Sequence, residues 1–370
     1  MAKNENPEHC AVILAGGRGT RFWPRSRKRT PKQLLNIVSD KSMLRETVDR
    51  IGPLFSANRI WAVTNQDQVA AVRRELRRVP HAQILSEPIG RNTTAAIAVA
   101  AIHLAQKHPN AVMAVLPADH YIANTARYRR IVRAAMNLAS VPGNLVVLGI
   151  PPTRPETGFG YIERNAAAAP QNGIAVYRVK KFTEKPDQAR ARQYVASGRY
   201  FWNAGMFFWH VSTFLDCLRK FLPKTWDAMQ KLRQSIGTPA YSRALRRIYP
   251  RLENVSVDYA IMEPSTQDGA RERVFVLPAA IGWSDIGSWS AVYELLARSK
   301  NQNVTNVLSF ALNAAGNFIW TPGKFTAIVG LNGLVVVDTA DALLICPRDR
   351  TQDVSKVVKW LEENRREDLL

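Results

Sequence analysis

Apolar and polar residues alternate along the chain in blocks with the lengths of strands and helices. Five blocks in the first 150 residues are apolar at nearly every position, as strands are when both faces of a sheet are covered. Helical patterns separate them, including residues 67–78 and residues 92–105, the latter with Asn92 or Thr93 as N-cap. This order predicts an α/β fold with a Rossmann-like mixed, mostly parallel sheet flanked by helices. The predicted strands are residues 9–15, 59–64, 83–85, 111–116 and 145–150.

The pattern changes after residue 150, where loops lengthen. Strands are predicted at residues 174–182 and 202–209, and helices between residues 213 and 248. We therefore divide the chain into a catalytic domain, residues 1–300, and a small C-terminal β region, residues 301–370, which has the pattern of a short β-helix and ends in a helix. The short elements of this region are strands at residues 317–320, 326–329, 334–338 and 342–346 and a helix at residues 351–363.

Composition narrows the class of protein. The hydrophobic fraction of 46% and the charged fraction of 22% are typical of a globular protein. The polar residues 1–7 do not resemble a signal peptide, and no apolar run is long enough to insert into a membrane. Three distant cysteines without CxxC spacing argue against a disulfide framework or a zinc site. We expect a cytoplasmic protein.

The chain is strongly basic, with a formal net charge of +21. Such a surface attracts nucleic acid, anionic lipid or phosphorylated small molecules. No RNA-binding aromatic motif, zinc finger or helix-turn-helix pattern accompanies the charge. We therefore expect an anionic small-molecule substrate and no specific nucleic-acid partner, with a nucleic-acid or membrane-surface binder as the alternative. Much of the charge lies in pairs typical of solvated helix faces: Arg73-Arg74, Arg77-Arg78, Arg129-Arg130 and Arg246-Arg247.

A glycine-rich loop follows the first predicted strand directly. Its glycines allow backbone N–H groups to approach a phosphate or a base closely. The loop is not a Walker A motif, because no Gly-Lys-Ser/Thr follows, and it lacks the third glycine of the dinucleotide-binding fingerprint. Arg18, Arg21 and Lys32 bring three positive charges to it. These charges suit a triphosphate, although a glycine turn with solvated arginines has the same pattern.

The loop sequence AGGRGTRFWPRS, with Pro31-Lys32 after it, closely resembles the opening of the sugar-phosphate nucleotidyltransferases. Its FWP and PKQ details are most similar to the mannose-1-phosphate guanylyltransferase branch, in its short single-function form. The resemblance runs from about Cys10 to Val292. It implies that Arg18, Arg21 and Lys32 are catalytic, at the family's activating and phosphate-binding positions.

A second motif, EPIGRNT at residues 87–93, resembles the branch's EPxxRNT segment, which lies near the nucleotide base in this family. A carboxylate such as Glu87 can accept hydrogen bonds from N1–H and the exocyclic amine of guanine. A turn with a helix cap is a structural interpretation that holds beside this one. The nucleotide-binding residues that the resemblance implies are Leu14, Ala15, Gly16, Gly17, Gly19, Thr20, Glu87, Pro88, Arg91, Asn92 and Thr93.

Two acids are candidates for a metal site. Asp119 follows a central strand, at the edge where such sheets bind ligands, and Asp285 lies in the segment GWSDIGSW. Mg²⁺ prefers one or two carboxylates together with substrate phosphates and water. By resemblance, Asp119 and Asp285 are that pair, and both are catalytic. A lone Asp after a strand is more often a cap or loop residue, but both of these lie in family-like motifs.

The remaining motifs belong, by resemblance, to the sugar phosphate. They are TGFGY at residues 157–161, FTEKP at residues 182–186 and WNAGMF at residues 202–207. A glutamate can accept from sugar hydroxyls, a lysine can pair with the phosphate, and an asparagine can both donate to and accept from hydroxyls. Asp258 and Glu263 also match a family segment and are expected to be mainly structural. The sugar-phosphate-binding residues are Gly158, Tyr161, Glu184, Lys185 and Asn203.

The resemblance implies transfer of GMP from GTP to α-D-mannose 1-phosphate with Mg²⁺, in a homodimer. The same chemistry with another base or sugar stays open, as does a non-catalytic nucleotide-sugar-binding regulatory paralogue. Residues 306–320 are rich in Leu, Phe and Ala where the family has a polar run, which puts the oligomer contacts in doubt. The chain stops without the isomerase domain of longer relatives, so we expect one activity.

Overall fold

The computed structural model describes residues 8–267 and 273–370; the polar stretch at residues 1–7 lies outside the described residues. No helix in these two ranges is both long enough and apolar enough to cross a bilayer. The strands are β1 (Glu8–Leu14), β2 (Ile60–Asn65), β3 (Ile84–Glu87), β4 (Ala111–Pro117), β5 (Tyr121–Ile122), β6 (Asn144–Ile150), β7 (Tyr161–Gln171), β8 (Ile174–Thr183), β9 (Tyr200–His210), β10 (Arg273–Pro278), β11 (Trp283–Ser284), β12 (Val304–Thr305), β13 (Ser309–Leu312), β14 (Phe318–Trp320), β15 (Thr326–Val329), β16 (Leu334–Asp338) and β17 (Leu343–Pro347). The helices are α1 (Met43–Ile51), α2 (Val69–Glu75), α3 (Asn92–Lys107), α4 (Thr125–Ala139), α5 (Gln188–Ser197), α6 (Val211–Phe221), α7 (Pro223–Arg233), α8 (Tyr241–Ile248), α9 (Trp289–Leu296) and α10 (Val354–Glu363).

The central sheet has nine strands in the order β3-β2-β1-β4-β9-β6-β10-β8-β7. β1 pairs in parallel with β2 and β4, β2 with β3, and β6 with β10. β9 lies antiparallel between β4 and β6, while β8 is antiparallel to β7 and β10. Only β8 and β9 of these nine run against the others, so the predicted mixed, mostly parallel sheet is confirmed.

Helices cover both faces of this sheet, as the all-apolar strands require. The residues of β4 are buried from Ala111 to Leu116, and those of β6 are buried throughout. One face packs against α3, α6 and α7, and the other packs against α1 and α4. The alanine-rich α3 is buried from Thr94 to Ile102, because its small side chains fit between the sheet and α6.

The local predictions differ from the structure in several places, and β10 of the central sheet was not predicted. β7 was not predicted, because its outer half, NAAAAPQ, lacks alternation; it forms as the antiparallel partner of β8. The helix predicted to reach residue 78 ends at Glu75. The predicted caps of α3 are wrong: Arg91 holds the cap position and no side chain caps the helix. Asn92 has φ 61°, and the Thr93 hydroxyl accepts from Val257 instead.

Beyond α9 the chain winds into a small β-helix, as predicted. β12, β14 and β16 pair in parallel in one sheet, and β13 and β15 do so in a second. β17 closes the first sheet in antiparallel fashion. Successive turns of chain therefore stack on one another before α10 begins.

The β-helix and the loop after β1 share a hydrophobic cluster. The Trp289 ring on α9 lies between Phe22 of that loop and Phe318 of β14, with ring centroids 5.0 and 5.5 Å apart. Val335 and Val358 belong to the same cluster. The two predicted domains thus share a core, and their boundary at residue 300 stays a prediction.

Candidate active site

The loop after β1 is held by side chains from neighbouring elements. Gln33 Nε2 donates to the carbonyl oxygens of Ala15 and Gly17, at 2.7 and 3.0 Å, and Asn65 Nδ2 donates to that of Gly16 at 2.5 Å. These bonds fix the backbone where β1 ends at Leu14. Sequence reasoning missed Gln33 and Asn65, because an amide that supports a backbone has no motif of its own.

Gly19 allows this loop to close over Lys32. Its φ of 64° is left-handed, and a Cβ there would lie 2.4 Å from Lys32 Cβ. Any other residue would therefore be strained and would displace the lysine. Thr20 follows as the first residue of a single 3₁₀ turn, Thr20–Phe22.

Lys32 joins the two predicted metal ligands. Its Nζ donates to Asp119 Oδ2 at 2.8 Å and to the main-chain carbonyl of Asp285 at 2.6 Å, and the residue is 5% exposed. Burial alone raises the pKa of Asp119, but the charges of Lys32 and His120 outweigh burial and hold this pKa below its ordinary value. Asp119 is therefore a carboxylate at neutral pH.

The two acids fit a magnesium ion completed by a substrate. Their side chains offer hard oxygen atoms, and both residues adjoin one buried lysine. No group of three or more His, Cys, Asp or Glu side chains is arranged to hold a metal within residues 8–267 and 273–370. Substrate phosphates and water would therefore supply the other ligands, which is the usual way in which Mg²⁺ binds in phosphoryl-transfer enzymes.

Arg18 and Arg21 contact the C-terminal region. Arg18 Nη2 donates to Glu362 Oε1 on α10 at 2.6 Å, and Arg21 Nη1 donates to Gln352 Oε1 at 2.8 Å. The three positive charges therefore have different surroundings. Lys32 contacts the two acids, Arg18 contacts α10, and Arg21 contacts the turn before α10 and lines a cleft with Asp285. Nothing in the sequence around Glu362 and Gln352 indicated this contact.

Glu87 ends β3 and is almost completely buried. The hydroxyl of Tyr249 donates to its Oε1, and a Cβ at Gly16 would lie 2.7 Å from its Oε2. Burial raises the pKa of Glu87 to about 7, and the hydrogen bond from Tyr249 opposes that rise. The carboxyl group therefore lies directly against the loop after β1, as a base-reading residue must, and Tyr249 is a partner that no sequence motif revealed.

The rest of the EPIGRNT segment makes hydrogen bonds near the end of β3. The Arg91 guanidinium donates to the carbonyl of Pro250, and Thr93 Oγ1 accepts from the N–H of Val257 at 2.9 Å. Asn92 Oδ1 accepts from Thr93 N–H, also at 2.9 Å. These contacts are structural and tie α3 to the chain after α8. Pro88 lines a cleft beside β3.

Glu184 offers an unused acceptor beside Gly160. A Cβ at Gly160 would lie 2.3 Å from Glu184 Oε2 and 3.3 Å from Asn203 Cβ. Glu184 Oε2 is buried and has no hydrogen-bond partner in the described structure. Burial, with nearby Asp258, raises the pKa of Glu184 to about 7. A ligand hydroxyl would satisfy this oxygen, which is consistent with a sugar-binding position.

The side chain of Asn203 is held by two bonds. Its Nδ2 donates to Asp258 Oδ1 at 2.7 Å, and its Oδ1 accepts from Gly205 N–H at 3.0 Å. Part of the amide's hydrogen-bonding capacity is therefore already used. Lys185 extends into solvent with its Nζ 3.6 Å from Glu184 Oε1, and its backbone has a φ of 45°.

Gly158 precedes β7, and Tyr161 is the first residue of this strand. Gly158 N–H donates to Glu156 Oε1 at 3.2 Å in an exposed loop. Tyr161 is completely buried, with its ring centroid 5.3 Å from that of Tyr194. The structure therefore does not support Tyr161 as a side-chain ligand of the sugar phosphate, because the ring belongs to the core.

Comparison with known proteins establishes the family. A model of the nucleotidyl transferase family matches residues 10–302. The chain belongs to the nucleotidyltransferase family. A second model, of the MannoseP isomerase/GMP-like β-helix domain, matches residues 309–361 of this nucleotidyltransferase, in agreement with its small β-helix.

Named relatives cover nearly the whole chain. A Klebsiella pneumoniae protein named mannose-1-phosphate guanylyltransferase is 37% identical over 358 residues, 96% of this chain and 74% of that protein. The alginate biosynthesis protein AlgA of Pseudomonas aeruginosa is 36% identical over 361 residues, 95% of this chain and 72% of that protein. A crystal structure from Thermus thermophilus, described as a mannose-1-phosphate geranyltransferase, matches with a TM-score of 0.84 and 33% identity over 96% of this chain and 99% of that one.

A cleft of about 480 Å³ lies beside part of the nucleotidyltransferase site. Arg21, Asp285 and Gly158 all line it. Arg154 and Arg348 also line it and were not singled out in the sequence, where they lie outside the family motifs. The cleft therefore brings a predicted metal ligand and a predicted sugar-phosphate residue to one space, which is lined by both basic and acidic side chains.

Proposed function

We propose that this nucleotidyltransferase transfers GMP from GTP to α-D-mannose 1-phosphate and releases pyrophosphate. The observation that carries the proposal is the contact of buried Lys32 with both Asp119 and Asp285 at the edge of the sheet. The relatives named mannose-1-phosphate guanylyltransferase support the choice of sugar and base.

The reaction is an in-line displacement. An oxygen of the mannose 1-phosphate attacks the α-phosphorus of GTP, the bond to the bridging β-oxygen breaks, and pyrophosphate leaves with the electron pair. No general base is required, because the attacking phosphate is already ionised. Asp119 and Asp285 would hold a Mg²⁺ ion, which would supply positive charge to neutralise the phosphates. Lys32, Arg18 and Arg21 stabilise the charge that grows on the departing pyrophosphate.

The substrates are positioned by the two sides of the site. Glu87 accepts from the guanine base, beside the backbone of Gly16 and Gly17. Glu184 and Asn203 accept from and donate to the sugar hydroxyls, and Lys185 pairs with the sugar phosphate. We further propose a cytoplasmic homodimer that has no specific nucleic-acid partner.

The test is pyrophosphate release by the purified protein with Mg²⁺, across four nucleoside triphosphates and a panel of sugar 1-phosphates. We expect release with GTP and mannose 1-phosphate in clear preference to other pairs. Preference for a different pair would retain the chemistry and overturn the assignment of base or sugar. No release with any pair, from protein shown to be folded, would favour the regulatory paralogue.

A further inference from the structure

Tyr249 makes the one side-chain hydrogen bond to Glu87 among the described residues. It is completely buried, and it lies 162 residues along the chain from Glu87, in the turn that follows α8. Its hydroxyl donates to Glu87 Oε1. The two residues come together where α8 lies beside β3 and lines a cleft with it.

This bond gives the two oxygens of Glu87 different surroundings. Oε1 is engaged by Tyr249, whereas Oε2 lies against the backbone of Gly16. A free carboxylate at the end of a strand can rotate about its last bond, but a hydrogen bond to one oxygen fixes the direction of the other. Oε2 is thereby left as the acceptor that faces the loop after β1.

The position of Tyr249 is itself fixed on both sides. The next residue, Pro250, accepts from Arg91, and Val255 accepts from Thr94 N–H at 3.4 Å. The chain that carries the tyrosine is therefore tied to the N-terminal turn of α3, immediately after the EPIG segment. Because its surrounding chain is held in this way, the Tyr249 hydroxyl determines the orientation of the Glu87 carboxylate.

We propose that Tyr249 is a positioning residue for base recognition, which directs Glu87 Oε2 at the donor edge of guanine. The proposal rests on the proposed function. Guanine presents N1–H and its exocyclic amine as two neighbouring donors, whereas adenine presents N1 as an acceptor toward the same group. A carboxylate oxygen aimed at this edge is attracted by guanine and repelled by adenine, so the preference for GTP depends on the direction of Oε2.

The test is Tyr249→Phe, which keeps the ring and removes the hydroxyl. Loss of a hydrogen bond to a charged group typically costs about a factor of 10 or more in the step it supports. We expect KM for GTP to rise about tenfold with kcat nearly unchanged, and the ratio of kcat/KM for GTP over ATP to fall by a similar factor. The matched control is Tyr241→Phe at the start of α8, which removes the hydroxyl that contacts His103 and leaves Glu87 untouched.

A combined variant separates positioning from folding. Adding Glu87→Gln removes the charge that Tyr249 orients, so Tyr249→Phe should change the GTP preference no further in that background. An unchanged GTP-to-ATP ratio in Tyr249→Phe, or an equal loss with both nucleotides, would overturn the proposal. A wild-type protein without preference for GTP would instead overturn the proposed function, and the two failures are thus distinguished.

Discussion

At the scale of single residues, Asp285 has two separable roles. Its main-chain carbonyl accepts from Lys32, whereas its side chain is the predicted metal ligand. Asp285→Asn keeps the main-chain contact, so the fold should persist while kcat falls by a factor of about 100 or more. Steady-state kinetics and circular dichroism measure the two effects. The control is Asp216→Asn on the exposed surface of α6, and near-normal kcat in Asp285→Asn would remove this residue from the metal site.

The buried carboxyl group of Glu87 makes stability depend on pH. Burial raises its pKa from 4.5 to about 7, so the folded state binds this proton more tightly than the unfolded state does. The free energy of unfolding therefore falls as pH rises from about 4.5 to 7 and stays lower above that range. Glu87→Gln has no proton to lose and so avoids this fall in the free energy of unfolding. We expect the variant to be more stable than the wild type at pH 8, by ~1–3 kcal/mol.

Urea unfolding at pH 5 and pH 8 measures this difference. The difference in free energy of unfolding between Glu87→Gln and the wild type should be smaller at pH 5, where Glu87 is protonated in most wild-type molecules. Glu363→Gln, on the exposed end of α10, is the control. An advantage of equal size at both pH values would show that the substitution acts through packing and not through the proton.

At the scale of elements, α10 contacts an arginine of the loop after β1 that we propose binds the triphosphate. Arg18 is bonded to Glu362 of α10, yet its proposed task is to bind phosphate. The pair is half-exposed and so contributes only ~0–1 kcal/mol. Glu362→Gln frees the arginine, and we expect KM for GTP to fall about two- to fivefold with kcat unchanged. The neighbouring Glu363→Gln should leave KM as it is, and a higher KM in Glu362→Gln would mean that α10 holds Arg18 in its productive position.

At the scale of the whole molecule, charge and apolar surface are segregated. Residues 301–370 carry seven basic and eight acidic side chains, so the net charge of +21 belongs to the rest of the chain. Lys324 is the one charged residue between residues 303 and 337. Large apolar side chains are exposed there, including Phe310 at 52% and Val329 at 59%. An exposed apolar patch in this weakly charged region is suited to contact with a second copy of the chain. Contact there keeps the strongly basic remainders of the two copies apart and limits their repulsion.

We expect the homodimer to form through this face of β13 and β15. Phe310→Glu combined with Val329→Glu should convert the dimer to a monomer in sedimentation at micromolar concentration, because burying two carboxylates opposes association. Val141→Glu places a charge on an exposed apolar residue away from the β-helix and is the control. A dimer that survives the double substitution would place the interface elsewhere.

Much of the fold could be predicted because burial on both faces leaves a local signature. β1, β2, β4 and β6 are continuous apolar runs, and each was located to within about two residues. β7 was missed because the strand is stabilised by pairing with β8 and not by an apolar pattern of its own. The cap of α3 was wrong because Thr93 makes a tertiary hydrogen bond to the chain 164 residues away.

The sequence by itself determined the family and the sheet and predicted the residue types of the site, since these depend on short motifs and on periodicity. Only the tertiary structure decided which charges meet: Lys32 lies between Asp119 and Asp285, whereas Arg18 faces α10. It also buried Tyr161 and supplied Tyr249 as the partner of Glu87. The physical reason is that hydrogen bonds and ion pairs act over a few ångströms in space, and distances along the chain do not reveal which side chains come that close.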